Sequence, residues 1–222
     1  MLTAAKTRQV GSLALLTAAS SDPVTVAEVK THSRLDDPVA EGDVYIAALI
    51  ASATNAVREW TGRALITETW TLTLDTWPGC YSDEWWDGVR EGALSMLSSN
   101  SVEIRKAPFV SVSKVETVDE DGTLTEFSTS NYFSTRESGF GKLVLRSGQT
   151  WPLIVPPVRA IGGIKITFSA GYGSSASDVP APLLHAIKLL VGHYYENREA
   201  VVSAAEMPFS VTRLLQPYKV LR

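Results

Sequence analysis

Pro180-Ala-Pro-Leu-Leu-His-Ala-Ile-Lys-Leu-Leu-Val-Gly-His-Tyr-Tyr-Glu-Asn-Arg-Glu199 is the stretch from which the fold can be read. Leu183, Leu184, Ile187, Leu190, Val191, Tyr194 and Tyr195 recur at helical spacing, so they line one apolar stripe along a proline-started helix. Just upstream, Ile164 to Gly173 reads as a strand running into a glycine turn. Downstream lies a Pro-bounded tail, Met207-Pro-Phe-Ser-Val-Thr-Arg-Leu-Leu-Gln-Pro-Tyr-Lys219, too short to fold alone and rich in docking residues. Over Arg213 to Arg222 the reading divides evenly between a satellite helix packed on its own domain with a frayed end, and a segment that adds to a partner's surface.

Two further helices precede the middle of the chain. Thr25-Val-Ala-Glu28 has the capping-box pattern, in which each of the two side chains satisfies the other residue's backbone N–H. That helix should end near Leu35, before Asp36-Asp37-Pro38. A second should span about Asp43 to Trp60, with Ile46, Leu49, Ile50, Ala53, Val57 and Trp60 on one face and Gly62 as its stop. Its many alanines permit close helix approach, within the subunit or between subunits.

From Leu65 the period changes to two. Trp70, Leu72 and Leu74 alternate with threonines, as in a half-buried strand. Further strands are expected at 102–106, 112–118, 124–128, 132–135, 142–146 and 164–169, with Asp121-Gly122 as a hairpin signal. The expected class is α+β: a helical core of two N-terminal helices plus the long C-terminal helix, with an inserted antiparallel β domain. The boundaries that follow are a flexible arm over 1–22, helical segments at 23–63 and 171–206, and the β insertion at 64–170. Residues 78–101 form a Trp-rich loop within that insertion, and 207–222 form a docking arm.

Composition narrows the function. At 222 residues and 45% hydrophobic content the chain can bury a sizeable core, which argues against wholesale disorder. A net charge of −4 offers no general attraction to nucleic-acid phosphates, so any contact with DNA is local or non-adhesive. One cysteine, Cys80, excludes an internal disulfide framework and a Cys-rich zinc site. Lys6 and Arg8 before Val10–Leu16 faintly mimic a secretory signal, but Gly11 and Ser12 interrupt a short apolar run. The better expectation is an arm free to order on a neighbouring subunit. No segment approaches the ~20 apolar residues that span a bilayer, so a soluble chain without membrane contact is expected.

Chemistry-bearing patterns are sparse. Gly171-Tyr-Gly-Ser-Ser-Ala176 formally fits a dinucleotide fingerprint, yet Pro180 and Pro182 start the helix too late and no returning strand follows. Asp119-Glu-Asp-Gly122 lacks the downstream glutamate of a calcium loop. His185 and His193 lie two helical turns apart, too far to share one zinc ion without other ligands. Cys80 has no base near it in sequence, and no serine sits in a nucleophile elbow. No catalytic residue, cofactor or metal is therefore assigned, and the chain is read as a non-enzyme. Trp77, Tyr81, Trp85 and Trp86 form the sharpest oddity: a partner-contact loop, or a lid folded back on the β layer. The neighbouring Asp83, Glu84 and Asp87 disfavour a phosphate backbone as its partner. A carbohydrate-binding β module of a virion protein, using these tryptophans, is the alternative function.

Taken in order, Pro23-Val-Thr-Val-Ala-Glu-Val-Lys-Thr-His-Ser-Arg-Leu35, Glu59-Trp-Thr-Gly-Arg-Ala-Leu-Ile66, Phe168-Ser-Ala-Gly-Tyr-Gly173, His193-Tyr-Tyr-Glu-Asn-Arg198 and Leu214-Leu-Gln-Pro-Tyr218 carry a family likeness. From about Ser21 to Arg222 the chain resembles the head–tail connector (adaptor) proteins of long-tailed bacteriophages and gene transfer agents. The resemblance implies a virion protein of the neck, assembled in the host cytoplasm as a homo-oligomeric ring of about twelve copies. Such a ring sits under the portal protein, extends the DNA channel without sequence-specific binding, and receives the next neck or tail-completion protein. It further implies that Leu214, Leu215, Pro217, Tyr218, Lys219 and Arg222 dock on the portal. The N-terminal extension and the Trp-rich loop depart from the family pattern, so their contacts do not transfer.

Overall fold

The structure is a computed structural model that describes residues 11–34, 40–77, 101–152, 161–197 and 207–220. The chain divides into two compact units, one of strands and one dominated by helices. Helices and antiparallel strand pairs are both present, which makes the class α+β.

The β unit draws on 1–18, 69–105 and 109–169. Its strands are β1 (Gly11–Thr17), β2 (Glu68–Leu74), β3 (Ser101–Ile104), β4 (Phe109–Val118), β5 (Leu124–Glu126), β6 (Tyr132–Glu137), β7 (Phe140–Leu145) and β8 (Ile164–Ala170). They make a five-stranded sheet in the order β1-β2-β8-β4-β5 and a three-stranded sheet in the order β3-β7-β6. Alternation fixes which faces meet. Leu72 and Leu74 of β2, Val102 and Ile104 of β3, Leu143 and Leu145 of β7, and Ile164, Ile166 and Phe168 of β8 are all buried. Phe109 lies over Gly141 of β7 and tilts against Phe168, its ring centroid 6.3 Å away.

Two turns set the register. Ser138 and Gly139, both with positive φ, form a two-residue loop that joins Glu137 to its cross-strand partner Phe140. This primed turn matches the right-handed strand twist, and the sequence reading passed over it. The β4–β5 connection is longer. Gly122 N donates to Asp119 O at 3.1 Å, and Thr123 N donates to the Asp119 carboxylate at 2.7 Å. Asp119 thus caps its own turn, which gives the acidic tip a structural role.

The expectation of a flexible arm over 1–22 is corrected for residues 11–17, which form β1. Gly11, Leu13 and Leu15 stand opposite Leu74, Leu72 and Trp70 of β2. Gly11 and Ser12, read from sequence as interruptions, occupy alternating strand positions, with Gly11 packed beneath the Leu74 side chain.

The helical unit draws on 19–68, 106–108 and 170–222. It contains α1 (Val26–Ser33), α2 (Ala40–Thr61), α3 (Ala181–Glu196) and α4 (Phe209–Leu215). The capping box forms as expected: Thr25 N donates to Glu28 Oε2 at 3.1 Å and Glu28 N donates to Thr25 Oγ1 at 3.3 Å. Ile46, Ile50, Ala53 and Val57 of α2 and Leu183, Ala186, Ile187, Leu190 and Val191 of α3 join one core. Val29 of α1 and Val211 and Leu215 of α4 complete it. Burying each such side chain contributes roughly 1.5–3 kcal/mol, the term that stabilises a short helix such as α4.

Extended segments of the same unit run beside one another. Ala64 N donates to Ala107 O, Gly171 N to Pro108 O, Tyr172 N to Leu65 O and Thr67 N to Gly173 O, all at 2.8–3.0 Å. Among the described residues no helix is long and apolar enough to cross a membrane.

Candidate functional site

The tail that the sequence marked for docking is integral to the helical unit. Pro208 opens α4, whose Val211 and Leu215 are 1% and 0% exposed, with Met207, Leu214 and Tyr218 packed against the same core. A 3-10 turn over Gln216–Tyr218 follows, started by Pro217. The chain is then held on the end of α2. Arg63 Nε donates to Tyr218 O at 2.6 Å, Val220 N donates to Thr61 O at 2.9 Å, and Lys219 Nζ lies 4.8 Å from the centre of the Trp60 ring.

This packing sorts the six residues assigned to portal docking. Leu215 is corrected: it fills its own subunit's core and presents nothing to a partner. Leu214 and Tyr218 are half-buried, whereas Pro217 and Lys219 are exposed. Arg222 lies outside the described residues. The outward face gains two residues that sequence reading missed. Phe209 is 73% exposed and carries the Arg213 guanidinium 5.0 Å from its ring centre. Their i, i+4 spacing, opposite Val211 and Leu215, was the available signal. An exposed aromatic ring with a cation over it has the composition of a protein-contact patch.

Of the aromatic loop set, Trp77 is likewise corrected. It is fully buried in the β unit and stacks on Trp151, with ring centroids 4.3 Å apart and planes 7° from parallel. Phe127 flanks that stack. Trp77 is therefore a core residue, closed to sugar or partner. Tyr81, Trp85 and Trp86 lie outside the described residues.

Nothing converges for chemistry among the described residues. His32 and His185 meet edge to face at 5.4 Å, and His193 Nδ1 lies 3.3 Å from the Asn197 amide. No group of three or more His, Cys, Asp or Glu side chains assembles among the described residues. The glycine turn that mimics a dinucleotide fingerprint holds an anion already. A Cβ at Gly171 would strike the Thr67 backbone, and one at Gly173 would strike the Asp178 carboxylate. Ser175 donates to that carboxylate from both N and Oγ at 3.0 Å. Those hydrogen bonds, the backbone one foremost, hold the Asp178 carboxyl below its ordinary range. The chain's own carboxylate stands where a phosphate would have to bind.

Over nearly its whole length the chain is similar to a chain of the neck of an empty gene transfer agent (GTA) particle, computed with C6 symmetry: TM-score 0.72, 25% identity, covering 95% of this chain and 96% of that one. The chain resembles a GTA neck component. A chain of the virion of the native GTA particle gives TM-score 0.69 at 26% identity, and one of the native neck computed with C12 symmetry gives 0.69 at 25%. Both cover 95% of this chain and 96% of the other. No protein-family model and no curated protein matches the chain. The likeness supports a structural neck protein of a phage-like virion, and the sixfold and twelvefold symmetries support an oligomeric ring.

Proposed function

We propose that this chain is the head–tail adaptor of a tailed phage or phage-like particle, forming a ring of about twelve copies under the portal. The observation that carries the reading is likeness to GTA neck chains across both units, with nineteen-twentieths of each chain aligned. A heterologous contact repeated by rotation closes such a ring. The ring extends the DNA channel, and a net charge of −4 lets DNA pass without being held. The exposed Phe209, Arg213, Pro217 and Lys219, with the half-buried Leu214 and Tyr218, dock on the portal. The next neck or tail-completion protein is received elsewhere on the ring. Catalysis has no part in this role.

Electron microscopy of purified particles tests the proposal. Density for this chain as a ring between capsid and tail is the expected outcome. Absence from the particle, or a place at the tail tip, would sink it.

A further inference from the structure

Among the described residues β1 is an open edge. It ends the five-stranded sheet, and among the described residues no strand pairs with its outer side. All seven of its residues, Gly-Ser-Leu-Ala-Leu-Leu-Thr, are exposed, with Leu13 at 40%, Leu15 at 42% and Leu16 at 61%. Natural edges are blunted by charge, proline, brevity or a bulge, because a free row of N–H and C=O groups templates pairing. β1 has no charge and no proline, and at seven residues it exceeds the typical strand. A bulge is present, but it falls between Leu15 and Thr17, leaving Gly11 to Leu15 in unbroken register with β2. Leu13 and Leu15 also extend the apolar face of Leu72 and Leu74 past the point where the subunit covers it.

We propose that β1 is an intersubunit strand, covered in the assembled neck by the adjacent copy of this chain. The inference rests on the ring reading and specifies one of its contact surfaces. One observation favours a second copy over a different protein. The similar necks carry sixfold and twelvefold symmetry, so in such a ring each copy has a copy of itself on either side, within reach of an open edge. A seven-residue strand about 23 Å long and roughly 10 Å across offers on the order of 230 Å², well under the roughly 800 Å² per partner of a stable pair, so β1 alone does not hold an isolated dimer. In a closed ring every copy is held by two neighbours, and so modest a contact suffices.

The test places a benzophenone amino acid at Leu16 of the full chain. Particles are purified, irradiated, and the adducts identified by mass spectrometry. Adducts between two copies of this chain are expected. Adducts solely to a different particle protein, or none from an incorporated variant, would overturn the proposal while leaving the neck reading intact. A wild-type chain missing from purified particles would remove the neck reading and this proposal together. In parallel, Leu15→Lys/Leu16→Lys should fold with wild-type circular dichroism and enter particles at least about tenfold less, since it places charge in a desolvated contact. A folded benzophenone variant that fails to enter counts with the lysine pair. Undiminished incorporation of the lysine variant counts against the proposal.

Discussion

Leu215 shows how one residue's meaning depends on what lies behind it. Sequence offered it as a docking group, but its full burial makes it a core leucine, and Leu215→Ala should lower stability by about 2–5 kcal/mol in urea unfolding. Phe209→Ala, on the outward side of the same helix, should change stability by less than about 1 kcal/mol yet reduce tailed particles. Equal stability losses for the two would refute this division of labour. Arg58 and Glu68 supply a second case. Arg58 Nη2 donates to both carboxylate oxygens of Glu68 at 2.9 Å, and the Glu68 side chain is 2% exposed. Arg58→Ala takes the bidentate guanidinium from a buried carboxylate and should cost about 1.5–3 kcal/mol, measured the same way. For Asp178 the sign follows from its lowered pKa: its contribution is present above the ordinary carboxylate range and is lost as pH falls through the depressed value. Asp178→Asn should therefore lower the melting temperature at pH 7 and narrow the gap to wild type near pH 2. A gap that widens in acid would contradict the hydrogen-bond account.

At the scale of elements, legibility followed locality. The Thr25–Glu28 box, the apolar stripes of α2 and α3, and the alternation of β2 are written within a few residues of where they act, and each forms. β1 was hidden because its pairing partner begins more than fifty residues later, and seven residues cannot show that a sheet awaits them. The tail was ambiguous for a related reason. An amphipathic segment looks the same whether its apolar face meets its own chain or another. Deleting residues 217–222 removes the Tyr218 and Val220 backbone contacts and the Lys219–Trp60 contact, while Val211 and Leu215 stay in place. The truncated chain should fold with native far-ultraviolet circular dichroism, lose about 1–3 kcal/mol, and fail to join portal-bearing heads. Normal tailed particles from it would show that the exposed end of the tail is dispensable.

For the whole molecule, the amino-acid sequence by itself determined the class, helices α1 to α3, most strands and the lack of a legible catalytic pattern. Those follow from periodicity, caps and composition, which act over short distances along the chain. The mild negative charge belongs here too, and predicts that the purified chain does not retain duplex DNA in a mobility-shift assay at about 0.15 M salt. Retention there would require a basic patch that the overall charge conceals. Only the tertiary structure decided that Trp77 stacks inward on Trp151, that Leu215 closes the helical core, that Phe209 and Arg213 face outward, and that Gly11–Thr17 edge a sheet. Each of these turns on which apolar surface finds which partner across a long stretch of chain. Local periodicity marks an apolar face, but what covers that face is a property of the folded neighbourhood.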